Sequence, residues 1–218
     1  MSVTTVGAGN PKSADLSIGN LINSGWALYK RYWKEILSIA FVYWLISFVI
    51  GRAAMAVVDS EILYYLIYII GQVVSLLMSI GIIVAGLKVC RGEMPEVKDL
   101  WSHTSKFLNY FLVSVVYGLI VFAGTILLII PGIYFAIKYA FAAMLAVDKN
   151  MGVGDALKAS AAMTQGIKLK LMWVGFVISL FSALGLLALG VGLVLTVPTA
   201  MLAMYLIYIR LLPSANLE

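Results

Sequence analysis

The sequence predicts an all-α integral membrane protein: a six-transmembrane-helix bundle edged by cytoplasmic amphipathic interfacial helices. Three observations carry that expectation. The 218 residues are 63% hydrophobic and 11% charged, with a mean hydropathy of +1.03, whereas soluble domains carry about 25% charged residues. The apolar residues fall into runs that approach the roughly 20 residues needed to cross a bilayer. The cations, finally, collect in the gaps between alternate runs.

Residues 1–15 are polar and have no apolar h-region, so the sequence predicts a disordered tail and no signal peptide. A single six-span membrane domain is expected over residues 16–212, with a C-terminal tail at 213–218. Ser17 is placed to cap a first helix. There Ile18, Leu21, Ile22, Trp26, Tyr29 and Trp33 recur near helical spacing, opposite Asn20, Asn23, Lys30, Arg31 and Lys34. An apolar face with aromatic residues and cations suits a helix lying in the headgroup region; an ordinary soluble amphipathic helix is the alternative.

Six candidate spans follow. Ile36–Val58 and Ile62–Leu87 are separated by the acidic turn Asp59, Ser60, Glu61. Phe107–Ile130 and Ile133–Val147 are joined by Pro131 and Gly132, and Leu171–Leu189 and Val191–Ile209 meet near Gly190. The fourth is short, covering only about 22 Å at 1.5 Å per residue. Either its outer turn sits below the membrane surface or the bilayer thins around it.

With six spans, thirteen of the fifteen cations fall on one side, leaving only Arg52 and Lys138 elsewhere. The positive-inside rule makes that side cytoplasmic, with both termini inside. The net charge of +5 thus follows topology and does not call for nucleic acid. An internal repeat is also legible. Ile18, Val97 and Val153 each open a helical stretch with Asn20, Asp99 or Asp155 two positions on and Gly25, Thr104 or Ser160 seven positions on. Each stretch feeds a two-span hairpin, giving three copies of helix plus hairpin; any amphipathic helix could show the same pattern by chance.

Catalytic chemistry finds no foothold. His103 is the lone histidine and Cys90 the lone cysteine, so neither a multi-ligand metal site nor a disulfide can be assembled. Ser160 has no base beside it, and Gly152 and Gly154 lack the spacing of a phosphate loop. No cofactor is expected. Two charges stand out, because an ionisable group at the centre of a span costs about 2.5–3.5 kcal/mol and marks a functional position by default. Arg52 can snorkel outward to Asp59 or Glu61. Lys138 can snorkel too, or it can face a cavity and meet a lipid phosphate or anionic solute. The spans hold no Asp, Glu or His, only Gln72 and Asn109 as stronger polar groups, which argues against a proton-driven transporter. Gly71, Ser75 and Ser79 form a small-residue stripe for close helix packing or an oligomer seam.

Two stretches carry a resemblance. LSIGNLINSGWALYKRYW resembles the opening of the membrane domain that accompanies some bacterial glycerophosphodiester phosphodiesterases and of related uncharacterised bacterial membrane proteins. PGIYFAIKYAFA, followed by DALKASAAMTQG, is similar to that family's Pro-Gly-aromatic span, its Ala-Leu-basic-x-Ser helix and its closing Gly. Ala161 stands where an aromatic often follows the Ser, and Lys138 where Arg is usual. No phosphodiesterase catalytic domain has a counterpart here, so the resemblance implies fold and location and not phosphodiester cleavage.

The expected function is accordingly non-enzymatic: binding or organising anionic lipid or a partner protein at the bacterial cytoplasmic membrane, with Lys138 and Arg52 as candidate lipid- or anion-contacting residues. A small channel or permease for an anionic solute or lipid is the alternative. The expected partners are membrane lipids, with a homo-oligomer or a membrane protein partner as further options.

Overall fold

A computed structural model describes residues 16–187 and 192–215. The expected tail at 1–15, the turn near Gly190 and residues 216–218 lie outside the described residues. Those described are helical, with no strand among them. In order the helices are α1 (Ile18–Arg31), α2 (Trp33–Ala56), α3 (Glu61–Arg91), α4 (Phe107–Leu127), α5 (Ile129–Lys138), α6 (Ala142–Asp148), α7 (Val153–Met163), α8 (Lys168–Leu187) and α9 (Leu193–Leu211). Short 3-10 turns occupy Val97–Leu100, Thr104–Lys106 and Leu212–Ala215.

Five segments are long and apolar enough to cross a membrane: Trp33–Ala56, Glu61–Arg91, Val97–Leu127, Ile129–Asp148 and Leu193–Leu211. A sixth is reached if α7 and α8, which meet at a bend of 93°, count as one. Their outward faces are apolar: Phe41, Trp44 and Phe48 on α2, Tyr65 and Ile69 on α3, and Phe122 and Ile126 on α4 are all exposed. Exposed apolar area on this scale is what a soluble protein avoids and a lipid-facing one presents.

The chain forms two compact units: Tyr32–Leu108, and α1 together with the described residues from Asn109 onward. In the first, α2 and α3 form a hairpin. Gly71 gives α2 its approach, since a Cβ there would meet Ile50 Cγ2 at 2.9 Å, while the Ser79 hydroxyl bonds back to Ser75 O within α3. Gly92, in the left-handed region at φ 83°, stops α3 as glycine commonly does at a helix end. The chain then turns back so that Val97–Leu100 lies on α3. Gly81 makes this possible: a Cβ there would collide with Leu100 Cα and sit 2.6 Å from Asp99 O. Ile39, Met78, Ala85 and Leu100 form the core of the unit.

In the other unit α1 packs on α9 through Leu21, Gly25 and Tyr29. A Cβ at Gly25 would lie 2.7 Å from Thr199 O, so the two backbones nearly touch. This narrows the apolar face expected of α1, because Trp26 remains partly exposed with Lys30 over its ring. The α4–α5 connection also differs from expectation. The turn is at Leu128, whose backbone is extended, and Pro131 and Gly132 lie in the first turn of α5. Proline is tolerated there because its missing N–H is not needed. Gly132 instead lets α4 approach, since a Cβ would meet Thr125 Cα at 2.9 Å.

Candidate functional site

The short fourth span of the sequence reading is two helices, not one. After Lys138 the helix breaks over residues 139–141 and resumes as α6. Nothing in Lys138, Tyr139, Ala140 and Phe141 forbids helix, so the break is held from outside. Ser160, fully buried on α7, accepts a hydrogen bond from Phe141 N–H at 3.2 Å and donates to Lys138 O at 3.1 Å. One turn on, the Thr164 hydroxyl lies 3.1–3.2 Å from the carbonyls of Lys138, Ser160 and Ala161. Buried backbone groups freed by a break must be paired, and these two hydroxyls pair them. Ser160 therefore has a structural role that the sequence alone did not reveal. The hydroxyls of Ser160 on α7 and of Thr164 just past its end, four residues apart, are the available signal.

Three contacts fix the break's height beside α4. Asn109 Nδ2 donates to Asn150 Oδ1 at 3.1 Å, Tyr117 OH donates to Ala136 O at 3.3 Å, and Gly124 faces Gly132. The break falls between the first two contacts, within about 12 Å of helix rise from Asn109.

Lys138 ends α5 with its ammonium 5.0 Å from the centre of the Tyr139 ring. It is half-buried, and no carboxylate pairs with it among the described residues. Tyr139 stacks on Phe135 with ring centres 6.2 Å apart, and Phe135 meets Tyr134 edge-on at 5.6 Å. The Lys168 ammonium, from the start of α8, stands 5.2 Å from the Tyr134 ring. Cation–π attraction of this kind lowers an ammonium's energy without cancelling its charge.

Arg52 lies in the other unit. It is exposed, one turn before the end of α2, and pairs with neither Asp59 nor Glu61 among the described residues. The snorkelling pair expected there is not formed. In the same unit the charges that do pair are Lys88 and Asp99, at 2.7 Å, with Asp99 side-chain exposure of 2%. Burial alone would raise the Asp99 carboxyl's pKa, but the Lys88 hydrogen bond and the Glu96 N–H at 2.9 Å outweigh it, holding the carboxyl below its ordinary value. Burial, aided by the Lys106 charge, lowers His103, whose Nδ1 lies 2.7 Å from the Ser102 hydroxyl.

Among the described residues no three His, Cys, Asp or Glu side chains gather to hold a metal. Gln72 is exposed on α3, and Gly152 precedes α7 in extended conformation. Comparison of the chain with known protein families, curated proteins and solved structures finds no match. Assignment therefore rests on the chain's own geometry.

Proposed function

We propose that the chain is a non-enzymatic, six-span protein of the bacterial cytoplasmic membrane that binds anionic lipid headgroups through Lys138. The observation that carries this reading is Lys138 itself: a half-buried cation at a break in an apolar segment, resting on an aromatic ring and lacking a carboxylate partner among the described residues. A charge so placed is costly unless an anion, water or carbonyls meet it. The exposed apolar faces of the long helices support a membrane location. The cation distribution supports cytoplasmic termini.

The reading also takes the stretches beginning at Ile18, Val97 and Val153 as three interfacial elements of a helix-plus-hairpin repeat. Its support is that each rests on the returning limb of a hairpin: α1 on α9, the Val97–Leu100 turn on α3, α7 on α6. The second departs from the pattern, being two short 3-10 turns and not a helix. A permease for anions is the less favoured reading. At the break the Phe141 N–H and the Lys138 carbonyl are already engaged by Ser160 and Thr164, so the N–H that would face an anionic solute is occupied.

Native mass spectrometry with defined lipids tests the central claim. Lys138→Met is expected to weaken retention of anionic but not zwitterionic lipid, with the fold intact, and Lys138→Arg to be tolerated. Equal retention in wild type and Lys138→Met would reduce Lys138 to a snorkelling anchor. Orientation is tested by single cysteines in a Cys90→Ser background: Ser60→Cys should label from outside and Asp155→Cys only from inside.

A further inference from the structure

Hydroxyls in the long helices can answer themselves: Thr125, Ser179 and Ser182 each donate to the carbonyl four residues earlier. Gln72 on α3 does not. It is exposed, and among the described residues its side chain makes no hydrogen bond. The amide carries two donors and an acceptor oxygen, and acyl chains can meet neither kind. Its depth makes this costly. Gln72 is eleven residues from Glu61, which opens α3, and sixteen from Lys88 near the other end. By helix rise it lies about 16 Å from the first charge and about 24 Å from the second. That is near the middle of a hydrocarbon layer about 30 Å thick. Snorkelling to water, open to a long lysine, is out of reach for the shorter glutamine.

Gln72 also belongs to a pattern. Tyr65, Tyr68, Gln72, Ser75 and Ser79 are spaced 3, 4, 3 and 4 residues apart, the heptad spacing of two helices wound left-handed around each other. Gly71 is turned to Ile50 of α2. Gln72, about 100° further round the helix, therefore lies beside the hairpin contact and not within it. Tyr65 and Tyr68 are exposed and Ser75 and Ser79 half-buried, with the Ser79 hydroxyl turned back to Ser75 O. The two serines are small enough for another backbone to come close. The face thus joins room for a second helix to an amide that needs one.

We infer that this face of α3 is the seam of a parallel homodimer, in which the two Gln72 amides hydrogen-bond to each other. A second copy is the occupant that complements the face. Copies inserted in one membrane share one topology, so a two-fold axis along the membrane normal brings identical residues together at identical depth. The amide is self-complementary, because the N–H of each copy can donate to the carbonyl oxygen of the other. Lipid offers no such partner, and an unlike protein would need its own amide or hydroxyl at the same depth.

The test uses the full chain in lipid vesicles, with donor- and acceptor-labelled copies mixed and diluted in the bilayer to read a dissociation constant by energy transfer. Wild type should dimerise, Gln72→Leu should weaken the dimer about tenfold, and Gln72→Asn, which keeps an amide, should stay close to wild type. Gln72→Leu takes an exposed amide out of hydrocarbon, so the single chain should unfold no more easily and a lost dimer cannot be put down to a lost fold. Single cysteines in a Cys90→Ser background, oxidised in membranes of the expressing cell, locate the seam. Gln72→Cys should give a product of twice the chain's mass. Leu66→Cys and Ile70→Cys, exposed on the opposite side of α3, should not. A wild type that stays monomeric at every dilution, or a Gln72→Leu dimer as tight as wild type, would overturn the inference. Equal cross-linking at all three positions would overturn the assignment to this face. A cross-linked product of any other mass would overturn the second copy and give the seam to a different membrane protein.

Discussion

The Val97–Leu100 turn and helix α7 are both pressed onto the returning limb of a hairpin, but by different chemistry. The turn is seated by a missing side chain and a charge pair: Gly81 admits the Leu100 backbone, and Lys88 reaches the buried Asp99. Helix α7 is seated by hydroxyls that enter a broken helix, Ser160 and Thr164 at the Lys138 carbonyl. At the turn the cation is answered from within the chain. At α7 the hydroxyls satisfy the backbone of Lys138 and leave its ammonium on a ring. Holding a structure and neutralising a charge are thus separate tasks, and only the first is completed at α7.

That contrast can be broken at several points. The largest effect is expected at Gly81. Gly81→Val should cost about 3 kcal/mol, because the new atoms meet backbone and not a mobile side chain. A thermal unfolding curve in detergent that matches wild type would show the turn is not seated there. Asp99→Ala should cost about 2 kcal/mol by stranding Lys88 and the Glu96 N–H, and Lys88→Met added to Asp99→Leu should recover part of it. The same pair sets a pH signature. Because the folded carboxyl's pKa is lowered, the unfolded chain binds the proton more readily, so this stabilisation is present above pH about 4 and is lost as pH falls through the folded value. Acid titration of unfolding should show that component in wild type and not in Asp99→Asn.

Ser160→Ala should cost about 1.5 kcal/mol, since Phe141 N–H loses its partner in a buried place, and the loss should be the same at pH 4 and pH 8. A pH-dependent loss would mean that charge, not the hydroxyl, holds α7. The smallest effect is expected from Tyr139→Leu, about 0.5 kcal/mol, the worth of a cation–π contact near solvent. A loss several times larger would show that the ring row itself braces the break.

Much of this architecture is written in the sequence. Apolar runs marked the long helices to within a few residues, and α1 and α7 begin at Ile18 and Val153 as the periodicity indicated. Lys138 was visible because a lysine inside an apolar run has few interpretations. The break beside it was not, since Tyr139, Ala140 and Phe141 contain neither proline nor glycine, and the cause lies about twenty residues downstream on another helix. Pro131 and Gly132 suggest a join between two spans, yet proline in a first turn opens a helix. Gly81 does not stand out beside the regular stripe of Gly71, Ser75 and Ser79, because its role lies in a single contact with a distant turn and not in a spacing. The pairing foreseen for Arg52 depended on a reach across the α2–α3 turn that proximity in sequence does not guarantee.

The Gly25 contact also has a consequence for assembly. Helix α1 is made before the other described helices, but the backbone it nestles against belongs to α9, which is completed only when Leu211 is joined, about 180 residues after Arg31. At a synthesis rate of roughly 5–20 residues per second, α1 waits some ten to forty seconds with Leu21, Gly25 and Tyr29 uncovered. The Tyr32–Leu108 unit, contiguous in the chain, can close during that interval without it. The first of the described helices is therefore among the last of them to find its place, because its partner is the final long helix of the same unit.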